Sequence, residues 1–444
     1  ITTLTNIWKI EELRNRILNT LLFLLIYRIG CHVVLPGVNP DALVVNRESG
    51  NDIMNLINMF AGGSFSRAAI FALGVMPYIS ASIVVQLLGI AVPAFQKMQK
   101  EGESGRKKMT QITRYLTVAI TLVQAVAYVK TQISPEAKTI ADPMFSILSA
   151  IVLTAGTLFV MWLGEKITDK GIGNGISLII MAGIIAQLPA GITAEWASRM
   201  SPSGGGPIPL LLEFVALFFV VIFTILIVQG VRKIPVQYAK KIVGNKQIGG
   251  VRQYIPLKVN AAGVMPIIFA QAIMFLPMSL TQFFPNVQSD FLNSLSNYTS
   301  VTYNVVFALL IIAFTFFYTA IMVNPQQMSE DMKKNGGFIP GIKPGFETNL
   351  FIDNVISHIT FPGAIFIAII AILPAIATLF GVNNQFAHFY GGTSLLILVG
   401  VVLDTIQQIE SHLLMRHYDG LMKTGRVKGR STASTVEGYD QSAL

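Results

Sequence analysis

Few of the side chains able to do bond-making chemistry in this 444-residue chain stand where such chemistry needs them. The five histidines, His32, His358, His388, His412 and His417, lie scattered near the ends of apolar runs, without metal-ligand spacing. Packing at an interface accounts for them. The single cysteine, Cys31, excludes an intrachain disulfide and a cysteine-rich metal site. No H-E-x-x-H pair and no G-x-S-x-G nucleophile turn occurs. The string closest to a phosphate loop, GLMKTGRVKGRST, has Arg426 where the lysine must be and sits in a tail rather than after a strand. The chain therefore reads as a non-enzyme, with no cofactor and no metal.

Polar groups inside apolar stretches offer weaker chemistry. The charges there are Arg28, Glu165, Glu213, Asp404 and Glu410, of which only Arg28 and Asp404 are well inside a stretch. Neither has an obvious partner on a neighbouring turn, so both read as structural, packed against a helix or snorkelling. Transport coupled to an ion gradient calls for more buried carboxylates. A passive pore or scaffold, powered from elsewhere, fits better. Gln86, Gln124 and Asn260 bring uncharged hydrogen-bonding groups into apolar segments. Bonds between helices at that depth are worth roughly 1 kcal/mol, which suits static glue or a seam weak enough to open.

The elements that must carry these residues follow from hydropathy. Hydrophobic residues make up 52% of the chain and charged ones 12%, against about 25% charged in a soluble domain. The apolar runs are continuous rather than alternating, which excludes a membrane β-barrel. The composition predicts an all-α polytopic membrane protein with ten spans, near 17–35, 75–92, 114–131, 144–163, 174–190, 209–230, 261–281, 303–323, 357–380 and 392–413. The first run resembles the later ones, so no cleavable signal peptide is expected. One face of this arrangement collects 26 Lys and Arg residues and the other 5, with Arg28 inside a span. The positive-inside rule then puts both termini in the cytoplasm.

Two basic loops, 231–260 and 324–356, are long for a compact bundle and rich in Gly, Pro and aromatics. They suit either lipid headgroup contact or docking of an acidic or phosphate-rich partner. The Gly/Pro/Ser stretch 191–208 separates an N-terminal half (1–190) from a C-terminal half (209–415), followed by a polar tail (416–444). Five spans per half means that, if the halves share a fold, they are inverted repeats with a functional path between them. Residues 57–74, INMFAGGSFSRAAIFALG, are too polar and glycine-rich to cross lipid and too apolar for a water-side loop. Irregular backbone of this kind is tolerated at membrane depth only inside protein or beside a water-filled cavity.

Several strings, NMFAGGSFSRAAIFALGVMPYISASI, KEGESGRKK, MWLGEKITDKGIGNGISLII, PLKVNAAGVMPIIFA, FFYTAIMVNP, GFIPGIKPG and GGTSLLILVGVVLD, occur in order between about residues 10 and 428. Together they closely resemble the SecY family of bacterial protein-conducting channels. The resemblance implies an hourglass channel for unfolded polypeptide across the inner membrane, with a lateral gate into lipid. It implies that residues 57–74 form a plug, with Phe60, Gly62, Gly63, Ser64 and Arg67 as its marked positions. It implies a pore ring of Val75, Ile79, Ile180, Ile268 and Ile397, with Pro77 bending the second span between two of them. Gln86, Gln124 and Asn260 become candidates for a polar latch on the lateral gate.

The family's partners are the small membrane subunits SecE and SecG, the SecA ATPase or a ribosome, a signal-bearing polypeptide and membrane lipids. The implied docking residues are Lys240, Lys241, Lys246, Arg252, Lys258, Lys333, Lys334 and Lys343. Lys343 stands where the family's GIRPG string has arginine, keeping the charge but losing the bidentate fork. The rival from another class is a secondary transporter of small solutes, which calls for a midplane ionisable cluster that the sequence does not show. A membrane enzyme would need a catalytic constellation, also not seen.

Overall fold

The computed structural model describes residues 10–39, 58–201, 205–238, 241–243, 246–248, 252–283, 294–295, 297 and 299–423. Within these, residues 90–91, 100, 241–243, 246–248, 252, 275–283 and 414–423 are described by backbone alone. Among the described residues ten helices have 16 residues or more, and each overlaps one predicted span. They are α1 (Glu11–Gly30), α2 (Met76–Ala91), α4 (Glu103–Gln132), α5 (Met144–Lys170), α6 (Gly175–Met200), α7 (Pro207–Gln229), α8 (Met265–Phe283), α9 (Val301–Met322), α11 (Phe346–Leu379) and α13 (Gly392–Lys423). The shorter helices are α3 (Pro93–Lys100), α10 (Pro325–Lys334) and α12 (Asn384–Ala387). Seven helical stretches are long and apolar enough to cross a membrane, and an eighth if α2 and α3, which meet at 100°, count as one.

Local sequence sets the helix starts. The Asn174 side chain accepts from the backbone N–H groups of Ile176 and Ser177 and caps α6. Ser300 caps α9 in the same way, and Asn324 caps α10 ahead of Pro325. Pro77 lies in the first turn of α2. There its missing N–H has no helical partner to lose, so it helps start the helix rather than bending a span as expected.

Several helices outrun the apolar runs that announced them. Helix α6 continues through Pro189 to Met200 and α7 begins at Pro207, so both take up residues of the predicted 191–208 loop. Helix α11 begins inside the predicted 324–356 loop, which also contains α10 and a short strand. The all-α expectation fails on the loop side. Strands β1 (Val231–Tyr238), β4 (Arg252–Lys258) and β5 (Gly337–Phe338) form a three-stranded antiparallel sheet in the order β4-β1-β5. Strands β2 (Lys241–Val243) and β3 (Lys246–Ile248) pair as a separate ribbon. Gln237 pairs with Phe338, stitching the two long basic loops together. Ile234, Val236 and Leu257 of the sheet share a small core with Met332, Ile339 and Ile352. Hydrogen bonding along β1 and β4, plus that core, makes one platform of two segments read separately from sequence.

The largest core lies where α1, α5, α6 and α13 meet. Tyr27, Leu163, Ile179, Ile184 and Ile397 are fully or almost fully buried in it, together with Phe60 and Val75 from the segment before α2. Other faces stay open. On α7, Ile208, Leu211, Leu212, Phe218, Phe219 and Leu226 are all exposed, as suits a surface covered by lipid or by another apolar helix.

Candidate functional site

The segment before α2 runs as a succession of turns held inside the protein. Met59, Phe60, Ala61, Ser64, Ala68, Ala69, Phe71 and Ala72 are buried. Its polar backbone is satisfied locally and by neighbours. The Ser64 hydroxyl lies 2.6 and 2.9 Å from the carbonyls of Ala61 and Phe71. The Ser66 N–H donates to Asn58 Oδ1 at 3.0 Å, and the Tyr128 hydroxyl donates to the Phe65 carbonyl at 2.6 Å. Ile70 donates to the Val33 carbonyl, and Leu35 to that of Ala68.

The chain turns at Gly62 and Gly63, with φ of 63° and 84°, where a side chain would be strained. It then passes so close to α6 that a Cβ on Gly183 would stand 2.8 Å from the Phe60 carbonyl oxygen. Arg28 Nη1 donates to the Gly62 carbonyl at 2.9 Å. Arg28 thus anchors this segment instead of packing on a partner helix or snorkelling. Arg67 is half-buried, and its Nη1 finds no partner among the described residues.

Val75, Ile79, Ile180, Ile268 and Ile397 come from distant parts of the chain and meet. Val75, Ile180 and Ile397 are 2%, 2% and 1% exposed, and Ile79 and Ile268 pack against the same cluster. Four of the five, with Phe60, Met76, Ser80, Gln271 and Ala272, enclose a cavity of about 20 Å³. A second cavity of about 30 Å³ shares the Phe60 and Gln271 walls and is otherwise lined by groups that include Tyr303, Asn304, His388, Thr393 and Ser394. At roughly 10–15 Å³ per water, the first has room for one or two waters and the second for two or three. The Ser80 hydroxyl is bound to its own helix at the Met76 carbonyl. What remains is a branched aliphatic collar of α2, α6, α8 and α13 closed by Phe60. Such a collar wets poorly and offers no fixed hydrogen-bond pattern to a passing chain.

Among the described residues no hydrogen bond joins one latch candidate to another. Gln86 is half-buried on α2; its Oε1 accepts from the Tyr318 hydroxyl of α9 and its Nε2 donates to Ser82 Oγ at 3.1 Å. Asn260, before α8, is 7% exposed, and its Oδ1 has no partner among the described residues. Gln124 is half-buried on α4. Sequence reasoning missed Tyr318, whose ring also meets Phe269 edge-on at 4.9 Å and shares a cluster with Ile83 and Ala262. It missed Gln271 as well. Only its place three residues beyond Ile268, on the same helical face, could have marked it.

The other intramembrane charges fall away from the collar. Glu195, Arg199 and Glu213 form a buried ion-pair network joining α6 to α7. Glu195 Oε2 also accepts from the Asn383 N–H at 2.7 Å. Asp404, read as well inside its span, is exposed. Of the basic positions on the platform, Lys333, Lys334 and Lys343 are exposed. Lys258 Nζ donates to Gln407 Oε1 of α13 at 3.2 Å. Lys241, Lys246 and Arg252 lie in strands described by backbone alone, and Lys240 falls outside the described residues.

This arrangement has counterparts among known proteins. The chain is 43% identical over 430 residues to the protein translocase subunit SecY of Halalkalibacterium halodurans, covering 95% of this chain and 99% of that one. It is 39% identical over 455 residues to the protein translocase subunit SecY of Chlamydia muridarum, covering 96% and 99%. A solved protein-conducting channel superposes with a TM-score of 0.64 over 94% of this chain and 95% of that one, at 16% identity. Sec61 from a canine ribosome–channel complex superposes with a TM-score of 0.60 over 94% and 95%, at 15% identity. The profile of the SecY family matches residues 69–406. That match runs from the buried segment ahead of α2, through the collar and the basic platform, into α13, and the chain belongs to the SecY family.

Proposed function

We infer that this chain is the central pore subunit of a protein translocase. It passes unfolded polypeptides across the bacterial inner membrane and releases hydrophobic segments sideways into lipid. The observation that carries this reading is the convergence of five branched aliphatics in one cluster, four of which line a single cavity together with Phe60. Residues 58–75 act as the plug. They are moderately apolar, turn at Gly62 and Gly63, and are tethered by a few hydrogen bonds that water can replace. The seam of α2 against α8 and α9 acts as the lateral gate, with Gln86 and Tyr318 as its hydrogen-bonded contact.

The ten long helices serve as ten spans in two inverted halves, 1–190 and 209–415, with both termini cytoplasmic. The basic platform then faces the cytoplasm, where it suits SecA or the RNA phosphates and proteins of a ribosome. The exposed apolar faces, α7 foremost, suit SecE, SecG and lipid. No step of this reading needs a catalytic group; the push comes from the partner. The collar holds no carboxylate among its described lining residues, and Glu195 and Glu213 both pair with Arg199 instead. These features give solute transport no support.

The test is photocrosslinking in reconstituted vesicles with a precursor arrested in transit. A benzophenone probe replacing Ile79, Ile180 or Ile397 is expected to capture the arrested chain, and one replacing Leu211 is expected to capture lipid or a small subunit. Capture at Leu211 without capture at the three collar positions overturns the reading.

A further inference from the structure

One polar side chain at the edge of the collar carries an unpaired oxygen. Gln271 is 8% exposed, and its Oε1 is buried without a hydrogen-bond partner among the described residues. Leaving a buried amide oxygen unpaired is unfavourable, and Ser80, the other polar side chain lining this cavity, is bonded to its own helix. Gln271 and Phe60 are also the two residues common to both central cavities. Phe60 belongs to the segment before α2, whereas Gln271 is fixed on α8. Removing Phe60 merges the aliphatic cavity with the one lined by Tyr303, Asn304 and Ser394, and Gln271 then stands at the junction.

A polypeptide crossing the collar meets a difficulty of its own. Its backbone N–H groups lose water among isoleucines and valine, which accept no hydrogen bonds. We propose that Gln271 is a substrate-binding residue whose side-chain oxygen accepts a hydrogen bond from the main-chain N–H of the extended polypeptide as it leaves the collar. The ligand is the peptide backbone, common to all sequences, so the contact favours passage without selecting among substrates. The inference rests on the channel reading proposed above and adds to it a polar station that the aliphatic ring alone does not supply.

The test removes the bond from either side. Channel complexes carrying Gln271 or Gln271→Met are reconstituted with partner subunits and motor. They are supplied with two precursors, one with a glycine run in its mature part and one with an equally long N-methylglycine run, which has no N–H to donate. Gln271→Met is expected to slow the glycine-run precursor about two- to tenfold, the range of a single net hydrogen bond, and to leave the N-methylglycine precursor at the unaltered channel's rate. Gln271→Asn, which keeps the amide but withdraws it by one methylene, is expected to fall between and stands in if the methionine variant does not assemble. Equal slowing of both precursors, or slowing of neither, overturns the assignment while the channel reading stands. Failure of the unaltered complex to transport either precursor overturns the channel reading itself.

Discussion

At the scale of single residues, the seam between α2 and α9 is held by one polar contact set in an apolar cluster. The Tyr318 hydroxyl gives its proton to Gln86, and the ring beneath packs on Phe269. Tyr318→Phe removes the bond and keeps the packing, so it is expected to weaken the closed seam by about 0.5–1.5 kcal/mol. The check is disulfide trapping between cysteines introduced at Ile83 and Phe269, which share the cluster: trapping should fall in Tyr318→Phe and fall no further in the double variant with Gln86→Leu. Additive losses would mean that the two side chains act independently. The collar makes a different prediction. Ile397 is 1% exposed among other aliphatics, and Ile397→Asn sets a polar amide in the apolar collar, at about 1–3 kcal/mol against the closed state. Ion leak through resting vesicles is the readout, and it should rise several-fold; Ile397→Leu should leave it near the starting level.

At the scale of elements, the close crossing of the pre-α2 segment over α6 sets a steric condition. Gly183 has no room for a side chain beside the Phe60 carbonyl. Gly183→Val must therefore push the segment off its seat without touching the collar. Protease accessibility of residues 58–75 is expected to rise in that variant, and unchanged protection would mean that the backbone absorbs the clash elsewhere.

The elements also mark what a sequence can and cannot disclose. Apolar runs announced every long helix, because a lipid-facing helix must be apolar over its buried length. They did not announce where α6 ends or where α11 begins, because the projecting turns are rich in polar residues and look like loops. The sheet escaped notice for a related reason. Ile234 and Val236 alternate with exposed neighbours in β1, but Pro235 between them argues against a strand, and the pairing with β5 lies about a hundred residues away. The collar residues were legible only by resemblance to a family, since an isoleucine in an apolar helix looks the same wherever it points. Tyr318 and Gln271 depend on contacts across the bundle that no local pattern records.

At the scale of the whole molecule, the proposed orientation rests on the distribution of basic residues. Cys31 is fully buried, so single cysteines placed elsewhere report accessibility with little background. A membrane-impermeant thiol reagent added to intact cells is expected to label Thr139→Cys and to spare Lys343→Cys until the membrane is opened. The reverse pattern would invert the assignment of both termini. The platform gives a second whole-molecule prediction. Lys333, Lys334 and Lys343 are exposed together on it, so replacing all three by glutamate should weaken motor-driven transport several-fold, more at low salt than at high.

The platform is also mechanically continuous with the interior. Ile352, fully buried in its small core, is already part of α11. The same helix runs on without a break in its assignment to Leu379, about 50 Å at 1.5 Å per residue. Near its far end Ala371, Pro374 and Ala375 wall the chamber behind Phe60. A single rod thus spans from the charged surface to the chamber behind Phe60, with Pro362 and Pro374 as built-in points of give. A load applied to that surface has a direct route to the stopper, one that crosses no loop and no sliding joint.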